Sequence, residues 1–142
     1  MPDEMKVQVK MSDDAKDFDR GKHEDETSAV QYQVRIAEIE IEFRDFDGSL
    51  ARDNDLRDEL QLLFQRLADE RFGGGNIVVE VELRAGSLIV AAVLAIGVGG
   101  YKFFKDYEQL HKGAHVFAED LKAARKKIEE IIRRHSDKRK KK

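Results

Sequence analysis

Seventeen consecutive residues without a charged side chain, Ala85 to Tyr101, interrupt a chain in which 39% of residues are Asp, Glu, Lys or Arg. A helix rises about 1.5 Å per residue, so this run extended to Phe103 and Phe104 reaches roughly 30 Å, the thickness of a bilayer's hydrocarbon core. The run therefore predicts an apolar helix over residues 85–104 that spans a membrane or is embedded in one.

Small side chains recur every four residues within this run, at Ser87, Ala91, Ala95 and Gly99. On a helix they line one face, and small residues let two helix backbones approach closely inside a membrane. We expect these four residues to be the helix-packing contacts of a self-associating protein.

The run has a second interpretation, in which Arg84 to Ser87 form a hairpin turn and Leu88 to Leu94 form a strand buried under a helix. Glycines at 97, 99 and 100 favour it, because each glycine weakens a helix in water by about 1 kcal/mol. Glycine is better tolerated in membrane helices, however. We favour the membrane helix on its length, and the buried strand stays open as the alternative.

The residues before the run predict a small α+β domain. Met5 to Met11 alternate apolar and polar, residues 12–28 read as an exposed loop, and Val30 to Phe43 read as one long strand. The alternation changes phase at Ala37-Glu38, which requires a bulge there or a break into two strands. Turn residues then end the strand.

A capped amphipathic helix and a further strand complete this domain. Asp53 or Asn54 caps the helix, Gly73 to Gly75 form a turn after it, and Ile77 to Leu83 alternate as a strand. The predicted fold class is α+β, a small antiparallel or mixed sheet with one covering helix. The predicted parts are an N-terminal strand with an acidic loop (1–28), the α+β domain (29–84), the apolar helix (85–104), a coiled-coil helix (105–135) and a basic tail (136–142).

Apolar or small residues after the run follow a spacing of four and three over four heptads, which is typical of a coiled-coil seam. They are Phe103, Tyr107, Leu110, Ala114, Phe117, Leu121, Ala124, Ile128 and Ile131. This pattern predicts a homo-oligomer, with a hinge or a helix hairpin near Gly113. The alternative is a helix packed along the chain's own sheet.

Charge is divided unevenly about the apolar run. Residues 1–85 carry 22 acidic and 12 basic side chains, whereas residues 86–142 carry 7 acidic and 14 basic ones. A basic cluster beside a membrane helix is attracted to anionic cytoplasmic lipid, and we expect that contact from five residues. These are Arg133, Arg134, Lys138, Arg139 and Lys140. We do not expect nucleic acid as a partner, because the segment lacks aromatic residues that stack on bases.

The expected location is the inner membrane with a cytosolic C-terminus. The N-terminus has no apolar signal segment, so a single span would place an acidic domain outside without a leader. Either the span itself translocates that domain, or both termini stay cytosolic because the helix inserts only on activation or lies buried in an oligomer. We favour the alternatives in which both termini are cytosolic. The absence of cysteine excludes disulfides and thiolate metal sites.

The segment Asp45-Phe46-Asp47-Gly48-Ser49-Leu50 resembles the nucleophile loop of haloacid-dehalogenase-type phosphatases. The resemblance implies a nucleophilic Asp45 and an acid–base Asp47. That family needs a buried parallel sheet, whereas the strand before Asp45 alternates Glu with apolar residues. An Asp/Gly turn leading into a helix is the interpretation we favour.

No metal or cofactor site is expected. His111 and His115 lie one helical turn apart without the intervening Glu of a zinc-protease motif, so a solvated face is expected. Asp53, Asp55 and Asp58 fit a helix cap and first turn better than a calcium loop. His23 and His135 lie in charged segments.

The segment Val79-x-Val81-x-Leu83-Arg84-x-Gly86-Ser87-Leu88, followed by apolar and basic stretches, is similar to small effector modules of bacterial conflict and defence systems. The resemblance implies a non-enzymatic module that assembles on a membrane or docks a partner. Our first hypothesis is therefore a membrane-associated oligomer that anchors in or perturbs the bilayer. The second is a soluble α+β binding or adaptor domain, with the apolar segment buried in its core or at an oligomer interface.

Overall fold

A single antiparallel sheet organises the part of the chain that the computed structural model describes, residues 5–16, 18, 34–97, 100 and 104–140. Its strands are β1 (Met5–Met11), β2 (Arg35–Asp47), β3 (Ile77–Arg84) and β4 (Ser87–Ile96), in the order β1-β2-β4-β3. Every neighbouring pair is antiparallel. Because β4 lies between β2 and β3, the most apolar segment of the chain has strands on both sides.

The helices are α1 (Asp13–Lys16), a 3-10 helix (Gly48–Arg52), α2 (Asn54–Phe72), α3 (Tyr107–Ala123) and α4 (Arg125–Lys140). Asp53 caps α2 as predicted, since its Oδ1 accepts a hydrogen bond from Leu56 N at 3.0 Å. Gly73 ends α2 with φ of 90°, a conformation that favours glycine. The α+β class and the antiparallel sheet are confirmed.

The prediction of an apolar helix over residues 85–104 is wrong, because Ser87–Ile96 form strand β4. The hairpin alternative is observed: Ala85 and Gly86 make the turn, with φ of 119° at Gly86. The start of the 3-10 helix lies so close to this turn that a Cβ on Gly48 would meet Gly86 O. Among the described residues, no helix has the length and apolarity to cross a bilayer.

The covering helices pack on one face of the sheet and build one hydrophobic core with it. From the sheet the core takes alternate residues, among them Ile39, Ile41, Val81, Val90 and Leu94. From the helices it takes Leu56, Leu60, Leu63, Phe64, Phe72, Leu110, Phe117, Leu121, Ile128 and Ile132. Phe72 lies at the centre of the helical layer, with ring centroids 6.1 Å from Phe117 and 5.9 Å from Phe104.

The segment after the apolar run forms two helices that meet at Ala124, whereas the sequence predicted one seam with a hinge near Gly113. Six of the predicted seam residues are buried in the chain's own core: Leu110, Ala114, Phe117, Leu121, Ile128 and Ile131. Tyr107 packs at its margin, and Phe103 lies outside the described residues. This is the alternative in which the helices pack along the chain's own sheet.

Two details of the N-terminal half differ from expectation. The pairing of β2 with β4 shifts register between Arg35 and Ala37, just before the predicted step at Ala37-Glu38, and again between Phe43 and Asp47. The segment predicted as an exposed loop contains α1 and two core residues, Ala15 and Phe18. The expected start of the strand at Val30 lies outside the described residues.

Candidate functional site

The face of the sheet opposite the helices, here called the open face, has none of the described helices packed across it. Cross-strand register assigns its residues. They are Lys6, Gln8 and Lys10 on β1; Arg35, Glu38, Glu40 and Glu42 on β2; Ser87, Ile89, Ala91, Val93 and Ala95 on β4; and Val78, Glu80, Glu82 and Arg84 on β3. An apolar stripe on β4 thus runs between two rows of carboxylates.

Arg84 organises the centre of this face. Its Nη1 donates to Glu40 Oε1 at 2.6 Å, and its Nη2 donates to Glu38 Oε1 at 2.6 Å and to Glu82 Oε2 at 2.9 Å. Glu40, Ala91 and Glu82 lie in one cross-strand row. The guanidinium therefore bridges both carboxylates above Ala91, which explains why that alanine is fully buried on an open face.

The same contacts shift the titration of the groups involved. The hydrogen bond from Arg84, more than any other contact, holds the pKa of Glu38 below its ordinary value, against the opposing effect of burial. The pKa of Arg84 is raised, first by its hydrogen bond to Glu38 and then by the one to Glu82. One guanidinium shared among three carboxylates leaves this cluster with a negative charge that Lys10, opposite Glu38, partly offsets.

A depression of about 220 Å³ lies at one end of the open face. Val78, Val93 and Ala95 supply its apolar surface, and Arg35 and Glu80 stand at its sides. It is large enough for one aliphatic side chain of a partner. The apolar stripe and this depression are continuous, because Val93 and Ala95 belong to both.

The small residues predicted as helix-packing contacts are thus on a strand. A spacing of four residues also keeps side chains on one face of a strand, so Ser87, Ala91 and Ala95 share the open face of β4. Gly99 lies outside the described residues. The structure therefore brings Ser87, Ala91 and Ala95 together on one face, but on a strand and not on the predicted helix.

A second polar cluster ties the C-terminal helix to the start of α2. His135 Nε2 lies 2.9 Å from Glu59 Oε1, and His135 Nδ1 lies 3.5 Å from Asp53 Oδ2. Glu59 also accepts a hydrogen bond from Arg134. The bond to His135 is the main cause that holds the pKa of Glu59 below its ordinary value.

This cluster has the histidine and the carboxylates of a catalytic triad, but it contains no hydroxyl or thiol nucleophile. Both ring nitrogens of His135 face carboxylates, and Asp53 is already used as the cap of α2. Neither nitrogen is thus directed at a hydroxyl that it would activate. The arrangement is suited to holding α4 against α2, and we take it as a structural clamp.

The basic residues predicted to contact lipid lie on α4, and three of them contact the chain itself. The guanidinium of Arg133 lies 5.9 Å from the centroid of the Phe46 ring, and Arg139 donates to Ser49 O at 2.7 Å. Arg134 pairs with Glu59 as described above. Lys138 borders a cleft beside the clamp, and the side chain of Lys140 is not among those described. Lipid contact stays a prediction.

The remaining sequence candidates find ordinary roles. Asp47 Oδ1 accepts a hydrogen bond from Ser49 N at 2.9 Å and caps the 3-10 helix, and Asp45 is exposed on β2. The sheet around them is antiparallel, unlike the parallel sheet that the phosphatase family needs. The His111 and His115 rings lie on the exposed side of α3 with centroids 4.3 Å apart and an interplanar angle of 44°. Among the described residues, no group of three or more histidine or carboxylate side chains is placed so that it could hold a metal ion.

Two important residues were missed from the sequence. From the sequence, Arg84 is assigned to a turn and to the segment that resembles effector modules, but not to an ion pair, although a basic residue ending a strand beside alternating glutamates is a readable signal for a cross-strand ion pair. His135 was assigned to a charged segment, and nothing in the sequence marks its contacts with Asp53 and Glu59, some 80 residues away.

Comparison with protein-family models, with curated proteins and with solved structures gave no match. The open face and its charges are therefore the basis on which a function is argued.

Proposed function

We propose that the protein is a non-enzymatic binding module, an adaptor that engages a partner protein through the open face. The observation that carries this proposal is the apolar stripe of β4 between two rows of glutamates. Ile89 and Val93 are only half-buried there, whereas the alternate residues of the same strand lie under the helices. Partly exposed aliphatic side chains within a charged frame are typical of surfaces that bind other proteins.

The charges of the open face indicate what kind of surface would fit. Arg84 already engages three carboxylates and Arg44 pairs with Glu42, whereas Glu80 beside the depression has no ion pair with the described residues. A partner presenting an aliphatic side chain to the depression and lysine or arginine to Glu80 would be complementary in shape and in charge.

This proposal follows the second of the two hypotheses drawn from the sequence. The first hypothesis required an apolar helix over residues 85–104 for anchoring and packing, and Ser87–Ile96 of that segment form β4. Self-association and lipid contact by the basic residues of α4 stay predictions, and neither is needed for an adaptor.

Site-specific photo-crosslinking in the cells that make the protein tests the proposal. A photoreactive residue replaces Val78, at the edge of the depression, or Leu62, which is 74% exposed on α2 and serves as the control. We expect a discrete crosslinked protein from position 78 and not from position 62. Val93→Lys should abolish it, because the new ammonium repels a basic partner and fills the depression.

Three results would contradict the proposal. They are no crosslinked protein from position 78, the same protein from both positions, or a yield that Val93→Lys leaves unchanged. Folding of each variant is checked by its thermal melt, so that loss of crosslinking is not mistaken for loss of structure.

A further inference from the structure

The two outer strands of the sheet differ in how their outward backbone groups are satisfied. On β3, two glutamines of α2 bind these groups. Gln61 donates to Val79 O and accepts from Val81 N at 2.7 Å. Gln65 donates to Ile77 O at 2.8 Å and accepts from Val79 N at 2.9 Å. The β3 edge is therefore closed to a further strand, which is how proteins protect an edge from unwanted pairing.

The β1 edge has no such cap in the described part of the chain. Ser12 N–H donates to Ile36 O at 2.9 Å, and in an antiparallel ladder alternate residues direct their backbone groups to opposite sides. Since the backbone N–H of Ser12 points to β2, the backbone groups of Val7, Val9 and Met11 point to the outer side of the sheet. No hydrogen bond to these outward groups occurs among the described residues. The β1 edge thus offers a row of donors and acceptors.

The side chains of β1 indicate which strand would fit this edge. Lys6 and Lys10 are exposed on the open face, directly opposite Glu42 and Glu38 of β2. Opposite charges across two strands stabilise the pair, and like charges destabilise it. A strand on the other side of β1 would meet the same two lysines, so acidic residues fit there. Aliphatic residues between them would pack beside the half-buried valines of β1.

We propose that the β1 edge binds an extended segment of a partner protein in which acidic and aliphatic residues alternate, as a fifth strand of the sheet. Strand addition of this kind takes affinity from the backbone and specificity from alternate side chains. The inference stands apart from the open-face proposal, because its binding groups are the edge backbone and two lysines, and its partner is acidic where the open face fits a basic one.

In one register, a second copy of the chain fits the β1 edge poorly. An antiparallel β1–β1 pair centred on Gln8 would place Lys6 of one copy against Lys10 of the other. Strand β3 of another copy has the right alternation, with Glu80 and Glu82, but its edge is occupied by the two glutamines. Those glutamines prevent a head-to-tail β1–β3 contact that would otherwise propagate into a filament.

Peptide binding to the full chain tests the proposal. The probe is a fluorescent octapeptide with the sequence of residues 36–43, whose Glu38 and Glu42 have the same four-residue spacing as Lys10 and Lys6; its control carries lysine in place of all three glutamates. We expect fluorescence anisotropy to show binding of the acidic peptide only. Lys6→Gln combined with Lys10→Gln should weaken that binding and reduce its dependence on salt.

Val9→Pro tests the backbone contribution, because it removes an N–H that points outward and leaves the β1–β2 ladder intact. We expect binding to weaken about tenfold or more, the effect of losing one or two backbone hydrogen bonds. Val9→Thr keeps the N–H and should bind as the wild type does. A peptide N-methylated at alternate amides should not bind, which gives the same test without altering the protein.

Equal binding of both peptides would overturn the proposal, as would binding that survives N-methylation. A wild-type dimer that Val9→Pro converts to a monomer would also overturn it, because a second copy would then occupy the edge. Failure of the open-face crosslink leaves these peptide results unaffected, so the two proposals are distinguishable.

Discussion

The two faces of strand β4 are built from similar residues and are stabilised in different ways. Leu88, Val90, Ala92 and Leu94 face the helices and are completely or almost completely buried. Ile89, Ala91, Val93 and Ala95 face the opposite side, where glutamates of the neighbouring strands and Arg84 surround them. Apolar packing holds one face, and charge pairing across a thin apolar stripe organises the other.

An apolar run in the sequence therefore identifies the central strand of a sheet, but it does not tell which face of the sheet is available to a partner. The helix-covered face leaves no room for a partner. The open face has partly exposed aliphatic side chains and, at Glu80, a carboxylate that has no ion pair with the described residues, so a change of residue there should alter binding more than stability.

The largest expected effect comes from placing the same charge on the two faces of β4. Val90→Lys puts an ammonium among core residues, and burial of an unpaired charge costs on the order of 4 kcal/mol or more. Val93→Lys places the same group on the open face between Glu38 and Glu80, and we expect a change within about 1 kcal/mol. Urea unfolding followed by circular dichroism measures both.

Loss of cooperative unfolding in Val90→Lys together with a native-like Val93→Lys is the expected pair of outcomes. Equal damage from the two variants would mean that the open face is covered as completely as the other one, and the binding proposal would lose its basis.

The second prediction asks whether the helices that cover the inner face belong to the monomer's core. Phe117→Ala should lower the free energy of unfolding by about 3–5 kcal/mol, because it empties a fully buried aromatic site against Phe72. The melting temperature of the wild type should not depend on protein concentration. A melting temperature that rises with concentration would instead support the coiled-coil oligomer predicted from the seam.

Much of the fold follows from the sequence where polar and apolar residues alternate. Residues Ile77 to Leu83 alternate with two glutamates, and the cap at Asp53 and the turn at Gly73 bracket a helix of the expected period. Each of these signals is local, because the alternation of a strand with one solvent-exposed face and the cap of a helix are both recognised from neighbouring residues in the sequence.

The central strand and the clamp could not be derived in the same way. Strand β4 has apolar residues on both faces, so its period of two is hidden, and its length and small residues imitate a membrane helix. The seam residues of α3 and α4 follow the same spacing whether they face another chain or the chain's own sheet. The contact of His135 with Glu59 depends on how a helix folds back and leaves no trace in local spacing.

The third prediction concerns the charges of the open face. Arg84→Met should cost no more than about 1 kcal/mol, because the guanidinium is partly exposed and solvent screens its ion pairs. The pKa of Glu38 should rise toward its ordinary value, since the hydrogen bond that lowers it is lost. Titration of the Glu38 carboxyl by nuclear magnetic resonance measures the shift, with Arg44→Met as a matched control on β2. An unchanged Glu38 pKa in Arg84→Met would contradict the assigned network.

The smallest effect is expected at the edge of the helix-covered face, where the polar contacts of the clamp between His135, Glu59 and Asp53 take the place of apolar packing. The folded-state pKa of Glu59 lies below its ordinary value of 4.5, so its contribution is fully present above that pH and is lost as the pH falls through the folded-state value. Glu59→Gln should therefore be less stable than the wild type near neutral pH, by about 0.5 kcal/mol for a partly exposed pair. The two unfolding curves should converge once the pH lies well below the folded-state pKa of Glu59, because the wild-type carboxyl is then protonated as well. A constant difference across this range would show that Glu59 acts through its shape and not through its charge, and the clamp would then be one more packing contact of the covered face.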